Sequence, residues 1–370
     1  LDIETKNFVF PQYFNCVDSI RTIAALVVVI SHYHHFYLSD FSARDEIPSS
    51  QSFPYSELLR PLYDFGGNAV QLFWVISGFV FMHVYAQRPT SPYQFFAARF
   101  ARLYPLHFAT LIFVLLLQTI SINYVGHWQI YGNNDTRHFL LQLFMASNWS
   151  TLSRGLSFNG PIWSVSLEIG AYVMFFLSLG VLRKFGVLAA VPLAAACWAI
   201  SIVSPSFIPL VRMSVFECAG YFYSGIILYM LFQKFYSCTA HLSAIYSLSL
   251  LASGISVLVG DQRASTVSIS WCILLTAALV DLRYGNKIAK LKSVGNVSYS
   301  LYLVHVPLQM CVLLVADLFF EGNRGFAQSP FLLPIYLISS VLVSFFVYRF
   351  YELPVGRLYR NAFNRNPLRV

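Results

Sequence analysis

The chain has 370 residues, of which 57% are hydrophobic, 17% aromatic and 11% charged, with a formal net charge of +8. Ordinary globular chains are about 25% charged, so this composition, with a mean hydropathy of +0.61, excludes a soluble globular protein, a disordered chain and a coiled coil. Unbroken apolar runs such as 23–30 and 111–117 also exclude a porin-type barrel, whose strands alternate over roughly ten residues. The fold class expected is an all-α polytopic membrane protein, because a helix satisfies its own backbone polar groups in lipid.

About ten spans follow in chain order, near 18–38, 66–87, 104–124, 162–182, 186–203, 212–232, 241–259, 264–281, 297–318 and 331–351. They form a single transmembrane domain over 1–370, with long loops at 39–65 and 125–161. No cleavable leader is expected, because the first apolar run begins near residue 19 and is long enough to span. Lysine and arginine placement sets the orientation. With both termini cytoplasmic, sixteen of the 24 lie on the inner side, among them Lys6, Lys290, Lys292 and Arg369, and seven lie on the outer side, among them Arg154. The positive charge is therefore a topology signal spread over short inner loops, and no nucleic-acid partner is expected. The six cysteines show no C-x-x-C pair and read as packing residues or inert thiols. The histidines lack ligand spacing, so no metal site is expected.

Ionisable residues inside spans are costly and mark function. In the first span Arg21 and His32 stand eleven residues apart, which puts them on one face about 16 Å apart along the axis. Asp18 precedes them and His35 lies one turn beyond. In the fourth span, which opens at Trp163, Ser164, Glu168 and Tyr172 recur at i, i+4 and i+8 and share a face. Glu168 and His32 lie at similar depth from the outer end, so a carboxylate and an imidazole are expected to meet as a base and its orienting partner. Ahead of the third span, Arg99 and Arg102 share a face at the cytoplasmic interface, a spacing that suits phosphate through two planar forks. Ser298, Tyr302, His305 and Gln309 form a stripe in the ninth span that reads as the wall of a wet cavity. Glu217, in the sixth, reads as structural. Trp128, Tyr131, Trp149 and Phe158 in the outer loops are aromatics that can stack on sugar faces or form an interfacial belt.

Taken together these residues resemble the acyltransferase-3 family of integral membrane O-acyltransferases, from about residue 14 to 357. The opening Asp18-Ser19-Ile20-Arg21 through His32 resembles the family's Arg-x10-His motif. Phe73 to Phe79 resembles its second-helix signature, and Arg99 with Arg102, followed by Leu-Tyr-Pro at 103–105, matches its Arg-x-x-Arg motif. Ser166-Leu167-Glu168 with Tyr172 matches Ser-Leu-Glu-x-x-x-Tyr, Tyr299 to His305 resembles a late Tyr-Ser-x-Tyr-Leu-x-His segment, and Glu352-x-Pro354 resembles the last-helix ending. The resemblance implies a stand-alone transferase without an SGNH domain, in a bacterial inner membrane. Its implied donor is acyl-CoA, usually acetyl-CoA, taken from the cytoplasm as a co-substrate with no permanently bound cofactor. Its implied acceptor is a carbohydrate hydroxyl, on a surface polysaccharide or lipid-linked glycan, at or beyond the outer face.

The expected roles are His32 as general base, oriented by Glu168, and Arg21, Arg99 and Arg102 on the coenzyme A phosphates. Trp163, Ser166, Tyr172, Tyr302 and His305 are expected to line the acceptor cavity. Transfer is either direct, which the absence of a cysteine at any motif position favours, or through an acyl-enzyme at Ser164 or Ser166. The competing reading is a transporter or flippase, against which stands the absence of an inverted-repeat signature. A succinyl donor is a variant of the enzyme reading.

Overall fold

A computed structural model of the chain describes residues 10–151, 155–202, 211–285, 287–288 and 295–365. Lys6, Arg154, Lys290, Lys292 and Arg369, counted above for orientation, lie outside them. Among the described residues the regular elements are helices, and nine helices or helix pairs are long and apolar enough to cross a membrane. The chain is an integral membrane protein.

The helices are α1 (Asn15–Ser31), α2 (Ser56–Phe65), α3 (Ala69–Tyr85), α4 (Pro92–Tyr124), α5 (Thr136–Leu143), α6 (Ile162–Phe185), α7 (Val187–Ser201), α8 (Ser214–Phe235), α9 (Thr239–Val259) and α10 (Gln262–Tyr284). They continue with α11 (Ser298–Phe319), α12 (Leu332–Val347) and α13 (Leu353–Arg365), the last two joined by a π-turn at Tyr348–Glu352. All ten expected apolar segments are helical. The fifth, expected over 186–203, is α7, which has only 15 residues. That is about 22 Å of rise, short of a hydrocarbon core of about 30 Å.

Several ends differ from expectation for local reasons. α4 starts twelve residues before the expected 104, because Ser91 and Gln94 form a capping box and Pro92 takes the first turn, where its missing N–H costs nothing. Arg99 and Arg102 therefore sit inside a 33-residue helix. The first span keeps α geometry only to Ser31, and His32–Tyr37 winds as a 3-10 turn. The long loops are partly ordered, holding α2 and α5.

Two hydrophobic clusters fill the interior, one centred on α3, α6 and α8, the other on the outer ends of α1, α4 and α11. At the heart of the first, α3 and α8 meet through reciprocal glycines. A Cβ on Gly78 would stand 1.8 Å from the Phe222 carbonyl oxygen, and one on Gly225 1.9 Å from that of Val75. This gives the second-helix signature a packing reason. Gly78→Ala must part the two backbones, and overpacking of this kind costs about 1–3 kcal/mol or more. A melting curve in detergent should fall by several degrees for Gly78→Ala and stay unchanged for Gly67→Ala, where nothing lies within 4 Å.

Polar ties fix the helices around the interior. The Asp281 carboxylate of α10 accepts from the Cys16 and Val17 amides at 2.9 and 3.2 Å, satisfying orphan donors at the start of α1. Arg183 of α6 donates to the carbonyls of Tyr85 and Arg88 at 2.7 and 2.5 Å. The Phe363 ring of α13 lies 6.0 Å from Tyr93 at the start of α4. His83, near the end of α3, is bonded to the Gln12 carbonyl. The two described ends of the chain thus lie on one face, the one the charge bias assigns to the cytoplasm. α9 turns an apolar side outward, with Leu258 88% exposed, which suits a lipid-facing position.

Candidate active site

A polar cleft lies inside the bundle between α1, α3, α4, α6 and α11. Its walls include Arg21, Ser77, Arg99, Arg102, Ser164, Glu168, Tyr172, Ser298, Tyr299 and Tyr302, with Phe73, Trp74 and Phe81 as apolar lining. α1, α4 and α11 run outward and α3 and α6 inward, so residue order along each helix gives depth.

Arg102 of α4 lines the cleft and is exposed. One turn earlier on α4, the Arg99 guanidinium lies over the Phe81 ring, 4.7 Å from its centroid, and donates to the Tyr85 hydroxyl at 3.3 Å. Its Nε–H is buried without a partner. Arg21 reaches into the same space from α1, donating to Ser77 at 3.3 Å and standing 3.7 Å from Asp18. The three arginines expected at the donor's phosphates thus converge on one cleft. A long planar cation held against aromatic rings keeps free donors for an anion, which is the arrangement a phosphate ester needs.

Further out, the Tyr172 hydroxyl faces the Glu168 carboxylate, with Arg99 and Arg21 in electrostatic reach. One turn outward the Ser164 and Tyr302 hydroxyls are bonded at 2.7 Å. Tyr302 leads to His305, ring centroids 5.9 Å apart, and His305 to His32 at 5.1 Å. His32 Nδ1–H donates to the Val28 carbonyl at 2.9 Å, which leaves Nε2 as the nitrogen with the free lone pair. His305 is arranged in the same way. Its Nδ1–H points to the Leu301 carbonyl at 3.2 Å, and its Nε2 is buried with no partner. Gln309 donates to the His32 carbonyl at 2.8 Å and accepts from His35 Nδ1–H at 3.0 Å.

The expected direct pair of His32 and Glu168 is not formed. Among the described residues no ion pair joins them. The reason is the early end of α1. In the 3-10 turn the His32 ring faces α11 and the neighbouring rings of His34 and His35. Its orienting acceptor is a backbone carbonyl, and Ser164, Tyr302 and His305 stand between it and Glu168.

Three residues expected in the cavity lie outside its lining, and His305, fully buried next to Tyr302, is one of them. Ser166 faces away from the cleft, fully buried, its hydroxyl accepting from the Asn148 amide at 3.1 Å. Trp163 stands behind the cleft wall, its ring edge-on to Trp74 at 5.8 Å. Of the outer-loop aromatics, Tyr131 and Phe158 are core residues at 3% and 1% exposure. Trp149 is tied through its indole N–H to the Ser166 carbonyl.

One positioning network carried no signal in the sequence reading. Asp317, near the end of α11, accepts from Arg324 at 2.6 Å and from Gln129 at 2.5 Å, while Arg324 also donates to the Leu38 carbonyl at 2.8 Å. It clamps the end of the histidine turn to the helix that carries His305. Its parts are far apart in sequence, and only the unlike charges at 317 and 324 hint at it.

Residues 14–349 match the family described as an acyltransferase domain, and the chain belongs to this acyltransferase-3 family. It is 27% identical over 347 residues to acyltransferase MdmB of Streptomyces mycarofaciens, covering 84% of this chain and 82% of that one. It is 30% identical over 165 residues to an O-acetyl transferase of Shigella phage Sf6, 43% of this chain and 44% of that one. A 101-residue stretch is 36% identical to protein 2 in the picA locus of Rhizobium radiobacter, 26% of this chain and 41% of that one.

Proposed function

We propose that this acyltransferase moves an acyl group, acetyl in the first instance, from cytoplasmic acyl-CoA to a hydroxyl of a carbohydrate at or beyond the outer face of a bacterial inner membrane. The observation that carries the reading is the polar cleft that joins Arg21, Arg99 and Arg102 to Ser164 and Tyr302, with the His305 ring next to Tyr302 and the His32 ring next to His305. Arg99 and Arg102 hold the donor's phosphates, Arg21 and Glu168 line the path of its pantetheine arm, and the thioester carbonyl lies near Ser164 and Tyr302.

His32 Nε2 removes the acceptor's hydroxyl proton as the oxygen attacks the thioester carbon. Tyr302, with Ser164, donates to the oxyanion. The C–S bond then breaks, and the leaving thiolate takes the proton from the imidazolium. Direct transfer is favoured because Ser164 is bonded to Tyr302, with no imidazole to activate it, and Ser166 is buried and engaged. Glu168 acts at a distance, balancing the charge of Arg21 and Arg99.

The test is thiol release from acetyl-CoA by purified protein, with and without carbohydrate acceptors, and with succinyl-CoA in a parallel series. Release that depends on acceptor is the expected result. Acceptor movement across a vesicle membrane with no thioester consumed would favour a transporter instead.

A further inference from the structure

The helix α13 follows the π-turn and closes against the inner end of α4. Pro105 has no N–H, so it leaves the Ala101 carbonyl of α4 without its helical donor. Gly356 packs at that point, where an added Cβ would stand 3.0 Å from the Ala101 oxygen. The Phe100 ring lies 5.7 Å from Tyr359, and Ser300 of α11 donates to Glu352 at 2.5 Å. This packing fixes the register. The residue after Ala101 is Arg102, and the residue after Gly356 is Arg357.

Arg102, Arg357 and Arg360 are all exposed, and all three lie in electrostatic reach of the Tyr348 hydroxyl in the π-turn. Among the ion pairs of the described residues none includes any of them. Glu352 is in electrostatic reach of Arg102 and of the same Tyr348 hydroxyl, and this one carboxylate against three guanidiniums leaves two positive charges in excess. Three guanidiniums sharing one carboxylate form a site for a multiply charged anion, and forked donors favour phosphate oxygens. Arg102 also lines the cleft, so an anion held here is continuous with it.

We propose that Arg357 and Arg360 of α13 complete the donor's phosphate site, taking the phosphates that lie outside the reach of Arg99. This rests on the acyl-CoA reading above. An anionic lipid headgroup offers the same chemistry, and the experiment separates the two. Binding of coenzyme A is measured for wild type, Arg357→Gln/Arg360→Gln and the charge-keeping Arg357→Lys/Arg360→Lys, in neutral-lipid and in anionic-lipid nanodiscs. The expected result is an affinity lower by about 10- to 100-fold for the glutamine variant in neutral lipid, an intermediate value for the lysine variant, and a shallower salt dependence than wild type. Unchanged affinity in folded variants overturns the role of α13 and leaves the acyl-CoA reading standing. So does an effect confined to anionic lipid. Failure of wild type itself to bind coenzyme A overturns the acyl-CoA reading.

Discussion

His32→Ala is expected to lower turnover by about 10²–10⁴-fold, the usual contribution of a positioned general base, while coenzyme A binding stays within a few-fold of wild type. Binding is spared because Arg21 stands about three helical turns inward of His32, and Arg99 and Arg102 lie in the inner part of α4. The size of the effect follows from how the ring is held. Its Nδ1–H is spent on the Val28 carbonyl and its backbone carbonyl accepts from Gln309, so Nε2 is aimed with little freedom left. His34 is held in a similar way, its Nδ1–H on the Ser31 carbonyl at 2.8 Å and its ring 6.0 Å from that of His32, but among the described residues it lacks the contact with His305 that places His32 next to Tyr302. His305 has the second bare nitrogen, but it is fully buried behind Tyr302, whereas His32 is partly accessible. Single-turnover thiol release with saturating donor and acceptor checks this. A folded His32→Ala variant with full turnover removes the residue from the chemistry.

Arg99→Ala/Arg102→Ala has the second large effect, on binding. Removing one charged hydrogen bond costs about 1.5–3 kcal/mol, so donor affinity should fall by about 10²–10⁴-fold. Arg99 carries the larger share. Its guanidinium lies against Phe81 and Tyr85 with Nε unpartnered, an arrangement that leaves hydrogen-bonding capacity for a ligand. The doubly lysine-substituted variant keeps the charge but loses the fork, and should fall between. Equilibrium binding of acetyl-CoA in detergent decides the point. Unaltered affinity in a folded double variant removes both arginines from the donor site.

Much of this was legible in the sequence because period and hydropathy act locally. All ten apolar runs became helices, and Arg21, Arg99, Arg102, Glu168, Tyr172 and Tyr302 line one cleft, Arg99 with Arg102 and Glu168 with Tyr172 on the shared faces that helical spacing gives. The failures came where an interaction distant in sequence set the geometry. Depth along two helices placed His32 level with Glu168, but depth says nothing about rotation. The switch to a 3-10 turn at His32 aimed the ring at α11. Ser166 shares a motif with Glu168, yet residues two apart on a helix point in different directions, and Asn148 claimed its hydroxyl. Tyr131 and Phe158 are aromatics in an outer loop that folds inward. Asn159 donates to the Leu303 carbonyl at 3.0 Å, and Gly160 has no room for a Cβ beside Tyr131. Asp281, Asp317 and Arg324 found partners in other helices and loops, where no periodic pattern reports them.

Passage of the acyl group along one lane through the bilayer is tested most directly by sidedness. Protein is reconstituted in one orientation in sealed vesicles, with radiolabelled acetyl-CoA on the Arg102 side and carbohydrate acceptor on the His32 side. Labelled acceptor is expected on the side that never received donor, with free thiol accumulating on the other. Product that forms only when donor and acceptor share a compartment would contradict a lane from the inner arginines to His32.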